Sequence, residues 1–418
     1  MDLNDKGMSG KEKASRSRWW ILFLIFIVTI INYVDRNTIG IMWQDIVADL
    51  GLVDSSLSEN EYKDISKELY AYINMFFIAA YGVSQIMSGW LYDKIGTRKG
   101  FGLSVIVWGI ADACTSLATG IKGLITARTF LGIGVAGPWP GSVKNNAEHF
   151  STKQKALAQG IFKSGSCIGA IIAPIIIVPL CLKFGWKSTF VIVGSMGMVW
   201  LIPWFMSSQK SEQKTKGHKL SFIQLLKNRN SYALILGRFF LDPIWMMFVS
   251  WIPIYLHDVY HYDIKSIGML AWIPYIGAVI GSITGGYTAD RLIAMGKSVK
   301  FARRTSIVIG GIAMFPTMLY IGVVNDPFVA VVCMSVVLFG YQFSMTNIQT
   351  LASDVCSGDN VGSIAGLGGA AATIGTTIAT SFIPLLTANG DWMPFFVMSA
   401  LLIPASIGCV FVCGRRIG

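Results

Sequence analysis

The stretch WWILFLIFIVTIINYVDRNTIG, residues 19–40, decides the fold class of this chain. It is mostly apolar, and it matches the roughly 20 residues that a helix needs to cross a bilayer core about 30 Å thick. Basic residues precede it, as in a secretory signal, yet no small-residue cleavage site follows. We therefore expect a first membrane-spanning helix that is retained.

The rest of the chain repeats this pattern. Of its 418 residues, 53% are hydrophobic and only 14% are charged, whereas soluble domains average roughly 25% charged residues. The apolar residues form runs of membrane-helix length rather than the short alternating segments of a β-barrel. The sequence thus predicts an all-α membrane protein with about twelve transmembrane helices. The predicted spans are residues 19–40, 70–91, 101–119, 121–143, 157–182, 186–206, 231–256, 265–288, 303–323, 327–350, 362–388 and 392–413.

Lysine and arginine are distributed unevenly around these spans. They concentrate in the N-terminal segment, in the connections after the second, fourth, sixth and eighth spans, and in the C-terminal tail. Because cytoplasmic loops carry the excess of basic residues, both termini are predicted to be cytoplasmic. Membrane topology therefore explains the formal net charge of +11, and we expect no nucleic-acid partner. The compact loops favour the cell inner (plasma) membrane as the location of this multi-pass protein.

A long polar stretch at residues 207–230 divides the chain. We expect an N-terminal six-helix bundle at residues 1–206, a cytoplasmic central loop at 207–230 and a C-terminal six-helix bundle at 231–418. The sequence GWLYDKIGTRK at 89–99 is echoed by GYTADRLIAMGK at 286–297, each after the second span of its half. Such an internal repeat predicts that the two bundles are pseudo-symmetric.

Several of these motifs carry a family resemblance. The pattern GxLxDxxGxRK at residues 89–99 resembles the major facilitator superfamily. INYVDR at 31–36 and RFFLDPIW at 238–245 are similar to the anion:cation symporter family, and within it to transporters of hexuronates and other sugar acids. The resemblance covers almost the whole chain. It implies secondary transport by alternating access of two six-helix bundles around a midplane site.

The resemblance also implies a gate. In the superfamily, the acidic residue of the first motif and its basic neighbours latch the cytoplasmic side in the outward-open state, which here assigns gating to Asp93 and Arg98. A carboxylate near a helix N-terminus is stabilised by the helix dipole and can pair across the half-interface. The alternative is that the basic residues only mark the cytoplasmic side. Arg238 and Asp242 lie four residues apart on one helical face, so we expect an internal pair with a structural or gating role.

Ionisable residues inside a membrane are costly and therefore indicate function. Arg36 and Arg128 are the predicted anion-binding residues, because a guanidinium is permanently charged and can bind a carboxylate through two hydrogen bonds. The resemblance implies the same role for both. The alternative for Arg128 is a position at a helix end, or a pair with an acid of the first helix.

Asp35 and Asp112 are the predicted proton-coupling residues. A partly desolvated carboxylate beside a cavity can take up a proton, and protonation of Asp35 would free Arg36 for substrate. The alternative for Asp35 is a permanent salt bridge with an arginine. In similar transporters a glutamate often occupies the position of Val135, and valine cannot titrate, which weakens the case for proton symport. Asp112 is an unusual acid that could compensate.

Lys163 departs from the hexuronate-transporter pattern, which often has an amide at this position. It could bind a second anionic group in the cavity, or it could extend toward the cytoplasmic end of its helix. Neutral side chains with hydroxyl, amide or aromatic groups also suit a sugar, although each could serve only helix packing. The predicted neutral binding residues are Tyr33, Tyr81, Gln85, Ser166, Asn347, Thr373 and Thr377.

Together these features predict a secondary active transporter that imports a small organic anion, a hexuronate or an aldonate, by proton symport. The chain has no P-loop, so a gradient must drive transport. The alternatives are an exchanger or uniporter for organic anions or sugar phosphates, a non-transporting membrane sensor, and a membrane enzyme. We expect no enzymatic activity, no cofactor and no metal site. The expected partners are the anionic substrate, protons and the lipid bilayer, and the expected oligomeric state is a monomer.

Overall fold

A computed structural model of the chain describes residues 10–54, 56–207, 220–262, 270, 272–356, 358–387 and 391–414. These residues are almost entirely helical, and no β-strand occurs among them. A 3₁₀ helix, Gly358–Asn360, precedes the thirteenth α-helix. The α-helices are α1 Gly10–Ile41, α2 Trp43–Leu50, α3 Glu59–Ile95, α4 Thr97–Thr115, α5 Ile121–Val135, α6 Pro138–His149, α7 Lys155–Ser207, α8 Phe222–Lys227, α9 Ser231–Tyr260, α10 Ile273–Ala294, α11 Val299–Ile321, α12 Pro327–Val355, α13 Val361–Ser381, α14 Ile383–Leu386 and α15 Met393–Cys413.

The long helices reproduce the predicted spans. Helix α7 continues for 53 residues but is broken at Gly185, whose φ of +76° and ψ of 166° are not helical. Helix α7 therefore counts as two long segments, and α5 and α6 together count as one. Without the short helices α2, α8 and α14, the described residues then form twelve long segments. Eight of the helices found in this part of the chain are long and apolar enough to cross a membrane. The predicted all-α membrane fold is confirmed.

The ends of these helices follow from local sequence. Ser58 and Glu61 form a capping box at the start of α3, in which each side chain accepts a hydrogen bond from the other residue's backbone N–H. Asp326 caps α12 by accepting from two amides of its first turn, at 2.8 and 3.0 Å. Gly96, between α3 and α4, has a φ of +83°, which other residues rarely adopt. Short polar residues and glycine therefore mark where the apolar helices stop and start.

Helices from the two halves of the chain meet through glycine. A Cβ added to Gly89 of α3 would collide with the carbonyl of Gly362 at the start of α13. A Cβ added to Gly160 of α7 would collide with the carbonyl of Ser282 in α10, whose hydroxyl donates to the Gly160 carbonyl at 2.7 Å. Small residues permit this close approach of helix backbones. The two halves therefore close on each other at the predicted cytoplasmic end.

The division of the chain at residues 207–230 stays a prediction. Residues 208–219 of that segment lie outside the described part of the chain. The described remainder contains the short helix α8, which begins with a capping box of Ser221 and Gln224. The backbone N–H of Leu220 donates to the side chain of Asn360 at 2.9 Å, so this end of the segment packs beside α13.

Candidate substrate site

A cavity of about 790 Å³ lies between the two halves of the chain. Its volume falls within the ~300–1,000 Å³ range of small-molecule sites. Its walls are mainly apolar and come from α1, α3, α6, α7, α9, α12 and α13. Helix α3 contributes residues between Ala71 and Ile86, away from Asp93, so the cavity extends toward the predicted external end. The polar lining residues are Tyr33, Arg36, Tyr81, Lys163, Ser166, Arg238, Asp242, Tyr341, Gln342, Gln349, Thr373, Thr376, Thr377 and Thr380.

Arg36 lies in an aromatic cage on the wall formed by α1 and α3. The carbon centre of its guanidinium is 5.3 Å from the ring centroid of Tyr33, 5.4 Å from that of Phe77 and 4.8 Å from that of Tyr81. These cation–π contacts hold the guanidinium without neutralising it. No carboxylate among the described residues forms an ion pair with Arg36, so its charge is available to an anion in the cavity.

The opposite wall carries a neutralised pair. Arg238 donates from Nε to a carboxylate oxygen of Asp242 at 2.8 Å, as the spacing of four residues predicts. The hydroxyl of Tyr341 donates to the other oxygen of Asp242, also at 2.8 Å. Asp242 is therefore occupied by partners from α9 and α12. The pair lines the cavity but contributes no net charge to it.

Lys163 is the remaining cation of the lining. Its side chain is buried, and its ammonium nitrogen is 5.5 Å from the ring centroid of Tyr341. Among the residues that the structure describes, the ammonium forms no hydrogen bond and no ion pair. The lining thus holds three cations and one carboxylate.

A second charged cluster lies behind the cavity, in the first half of the chain. Asp35 and Asp112 are fully buried, and none of their carboxylate oxygens has a hydrogen-bond partner in the described ranges. Arg128 is 2% exposed and donates to the side chain of Asn74 at 3.2 Å and, at 3.5 Å, to the carbonyl of Arg36. Arg128 does not line the cavity. It lies near Asp112 and contacts the backbone that presents Arg36, and no described ion pair joins Asp35 to an arginine.

The predicted neutral residues divide into two groups. The first group lines the cavity and consists of Tyr33, Tyr81, Ser166, Thr373 and Thr377. The hydroxyl groups of Ser166, Thr373 and Thr377 donate to helix carbonyls, which leaves their oxygens as acceptors. The other two, Gln85 and Asn347, are buried outside the cavity lining. Gln85 packs against glycines of α13, and Asn347 donates to two helix carbonyls at 2.9 and 3.0 Å.

Asp93 joins the two halves at the predicted cytoplasmic end, and its gating role stays a prediction. One of its oxygens accepts from the ammonium of Lys144 and from the N–H of Gly362, both at 3.0 Å. The other accepts from the N–H of Ser363 at 2.6 Å and from its hydroxyl at 2.7 Å. Asp93 of the first half thus caps the N-terminus of α13 in the second half. Arg98 does not join this contact, because its guanidinium donates to a carbonyl at the end of α7.

Asp290 forms the matching contact from the second half, and sequence analysis did not select it. Its carboxylate accepts from the N–H groups of Ala156 and Leu157, at 3.3 and 2.8 Å, and so caps the N-terminus of α7. Arg303 donates to it at 3.2 Å and to Asp354 at 2.8 Å. The signal was the repeated motif at residues 286–297, whose acid holds the same place as Asp93 in its half.

Other cavity residues were also missed. Tyr341 and Gln342 of α12, and Trp139 of α6, line the cavity. The ring of Trp139 contacts those of Tyr33 and Phe162 edge to face, with centroids 6.3 and 5.2 Å apart. These residues resemble ordinary apolar-helix residues in the sequence, so only their position in the packed structure identifies them.

Helices of membrane length that enclose a charged cavity between two halves define a membrane transport protein. The model of the Major Facilitator Superfamily matches residues 25–368, and the chain belongs to this superfamily.

Individual relatives agree with this assignment. The chain is 28% identical over 407 residues to the hexuronate transporter of Escherichia coli (strain K12), a match that covers 92% of this chain and 91% of that protein. It is 29% identical over 338 residues to the galacturonate transporter of Dickeya chrysanthemi, covering 76% and 94%. It is 24% identical over 438 residues to the D-galactonate transporter of Escherichia coli O6:H1, covering 97% and 98%.

Solved structures share the fold. The proton:xylose symporter XylE superimposes with a TM-score of 0.78 at 13% identity, covering 96% of this chain and 97% of that one. FucP in the outward conformation superimposes with a TM-score of 0.71 at 14% identity, covering 96% and 99%. The protein is therefore an integral membrane transporter with the predicted two-bundle architecture.

Proposed function

We propose that this protein imports a sugar-acid anion, of the hexuronate or aldonate class, together with protons. The observation that carries the proposal is Arg36, a cation held by aromatic rings on the cavity wall without a carboxylate partner in the described residues. An aromatic face beside a guanidinium suits a ligand that has both a hydroxylated ring or chain and a carboxylate. The relatives that transport hexuronates, galacturonate and D-galactonate support the same class.

Substrate binding is assigned to the cavity wall and its support. Arg36 binds the carboxylate, and Tyr33, Tyr81, Ser166, Thr373 and Thr377 bind hydroxyl groups or pack against the carbon chain. Arg128 orients Arg36 through its backbone carbonyl rather than through a bond to substrate. Gln85 and Asn347 act one layer further out, by fixing the helices that carry the lining.

Proton coupling is assigned to Asp35 and Asp112. Two charged carboxylates cannot share a buried site without partners, because transfer of an unpaired charge from water is very costly. At least one of the two therefore carries a proton in this conformation. Release of that proton would place a negative charge beside Arg128 and Arg36 and so compete with the bound anion. The proton and the anion would then bind together and leave together.

Alternating access is assigned to the contacts at the predicted cytoplasmic end. In this proposal the conformation described here faces outward, and Asp93 and Asp290 hold it closed on the inside. Opening the inside requires both caps to separate from α13 and α7. Arg98 supports this gate from within the first half, and the Arg238–Asp242 pair supports the cavity wall against which the substrate binds.

The remaining assignments concern placement in the cell. We place the protein in the inner membrane with both termini in the cytoplasm, as a monomer that binds no nucleic acid and catalyses no reaction. Residues 1–206 and 231–418 would move as two bundles, linked by the loop at 207–230. The basic residues on one side of the bilayer support this orientation.

The test is uptake by purified protein in liposomes. Labelled galacturonate and galactonate are supplied outside, with and without an inside-alkaline pH gradient. Accumulation above equilibrium that collapses with a protonophore is expected for proton symport. Transport of neither acid in any assay, including counterflow, would refute the sugar-acid assignment.

An exchanger or uniporter for organic anions is the second candidate. The observation that favours it is Val135, which is fully buried and cannot titrate at a position where similar transporters often carry an acid. Counterflow without gradient-driven accumulation would support this candidate over symport.

A further inference from the structure

We propose that Lys163 forms a second anion subsite in the cavity, so that the preferred substrate is a sugar acid charged at both ends. This inference rests on the proposed function, because it concerns the same cavity and the same substrate family. It extends that function by naming the charge of the substrate and the residue that selects it.

The Lys163 side chain lacks a charged or hydrogen-bonding partner in the described residues. It is 3% exposed, lines the cavity and has only an aromatic contact, with Tyr341. The stem is buried while the ammonium opens onto the cavity, and an ammonium without an acceptor in a mainly apolar wall favours an anion beside it. The residues around Lys163 do not supply one in the described part of the chain. A negatively charged group of a ligand would.

The acid of the lining is already occupied. Both oxygens of Asp242 are bound, one to Arg238 and one to the hydroxyl of Tyr341. Three basic side chains and one carboxylate line the cavity, so two positive charges remain when Lys163 is protonated and this pair is subtracted. Two unpaired cations match a ligand that carries two negative charges.

Arg36 and Lys163 project from different helices of the fold. Arg36 is framed by rings of α1 and α3, whereas Lys163 projects from α7 against a ring of α12. The two basic groups thus lie on different walls, and each contacts its own set of rings. A ligand with charges at its two ends can reach both walls. The shared chemistry fits a six-carbon dicarboxylate and equally a phosphorylated aldonate.

The experiment measures preference for charge with the purified full-length protein in liposomes. Counterflow of labelled galacturonate is inhibited with unlabelled galacturonate, galactarate and 6-phosphogluconate. We expect the better dianion to inhibit at a concentration about tenfold lower than galacturonate, and comparison of the two dianions distinguishes a carboxylate from a phosphate at the second subsite. Equal or weaker inhibition by both dianions would overturn the inference.

Variants of Lys163 test the residue itself. Lys163→Gln should weaken inhibition by the preferred dianion about 30-fold and inhibition by galacturonate about threefold or less, whereas Lys163→Arg should keep the wild-type order. Lys122→Gln, an exposed lysine at the start of α5, is the matched control and should behave as wild type. An equal loss for mono- and dianions in Lys163→Gln would show a structural role and contradict the subsite.

A second measurement does not depend on variant folding. In detergent, the preferred dianion should raise the melting temperature of the wild-type protein more than galacturonate does at equal concentration. The reverse order would refute the inference. If no sugar acid of either charge binds or exchanges, the proposed function is refuted instead. If monoanions bind and dianions are not preferred, only the second subsite is refuted.

Discussion

The two halves of this transporter treat the acids around the central cavity in opposite ways, although each half has an ion pair at the predicted cytoplasmic end. In the second half, Asp242 pairs with Arg238. In the first half, Asp35 and Asp112 have no hydrogen-bond partner among the described residues. Paired charges are tolerated inside a scaffold and are costly to break, while unpaired charges depend on ligands or protons for their neutralisation. This difference supports the proposal that the substrate and the proton are bound chiefly by the first half.

The physical reason is the low dielectric of the membrane core. There, an ion pair with additional hydrogen bonds is tolerated, whereas a lone charge must be protonated, hydrated or bound by a counterion. Arg36 lies at the boundary between these cases, because aromatic rings hold it while its charge remains open to the cavity. Each of the following predictions tests this difference between the halves.

The largest expected effect is on Arg36. Arg36→Met should lower galacturonate counterflow about 100-fold, because the substrate carboxylate would lose its charge partner in a partly buried site. Arg36→Lys should also be strongly impaired, since a lysine cannot form two parallel hydrogen bonds. Arg291→Met, at an exposed position in α10, is the control and should transport normally. Wild-type counterflow in Arg36→Met would contradict the assignment.

The second prediction compares one acid from each half. Asp242→Asn removes a charge from a pair and leaves Arg238 without compensation, so we expect a loss of about 1–3 kcal/mol in the free energy of unfolding. Asp112→Asn replaces an acid that has no hydrogen-bond or ion-pair partner among the described residues, and we expect a change within about 0.5 kcal/mol. Unfolding in mixed micelles with increasing dodecyl sulfate measures both.

The same two variants separate coupling from stability. Asp112→Asn should retain counterflow and lose accumulation driven by a pH gradient. If Asp112→Asn were as destabilising as Asp242→Asn, the carboxylate of Asp112 would have a structural partner, and the contrast between the halves would fail.

The third prediction concerns the caps at the predicted cytoplasmic end. Asp93→Asn keeps the size of the side chain but removes the charge that binds Lys144 and the N-terminus of α13. The inward-open state should become more populated, and maleimide labelling of the nearby Cys356 should accelerate about threefold to tenfold. Asp359→Asn, in the adjacent 3₁₀ helix, is the control without this contact.

The matching variant in the other half sharpens the third prediction. Asp290→Asn leaves Arg303 bound to Asp354, so this variant should weaken the closed cytoplasmic end less than Asp93→Asn does. Labelling of Cys356 should therefore rise less in Asp290→Asn than in Asp93→Asn. Equal acceleration would show that both caps contribute equally to closure.

The smallest expected effect is at the surface of the first half. Asp49 of α2 accepts from the ammonium of Lys187 at 2.9 Å and from the indole of Trp186 at 3.1 Å, and these hydrogen bonds lower the pKa of its carboxyl. A lowered carboxyl pKa stabilises the folded state above the unfolded pKa, and this contribution is lost as the pH falls through the folded pKa. Asp49→Asn should lower the melting temperature by about 1–2 °C at pH 7 and by less near pH 3. If the melting-temperature difference between wild type and Asp49→Asn grew as the pH fell, the lowered pKa of Asp49 would be contradicted.

Much of the site could be predicted from residue chemistry alone. A charged residue in an apolar run is rare, so Arg36, Asp35, Asp112 and Lys163 could be selected without a structure. The spacing of four residues similarly predicted the Arg238–Asp242 pair, which the structure contains. The repeated motif could have identified Asp290 as well, because it holds the position of Asp93 in the second half.

Packing decided the rest. Gln85 and Asn347 have the same chemistry as residues that line the cavity, yet the rotation of α3 and α12 directs them into helix contacts. Tyr341 and Trp139 show the converse case, because an aromatic residue in an apolar helix carries no signal of the cavity it faces.

The sequence by itself determined the membrane class, the helix count and the motifs of the family, since these depend on hydropathy and local spacing. Only the tertiary structure decided which charges are paired. Arg303 and Asp93 have partners on helices that are distant in the chain. Asp35 has no hydrogen-bond partner among the described residues. A charge inside a membrane acquires its role from those neighbours, because the neighbours determine whether a ligand or a proton must neutralise it.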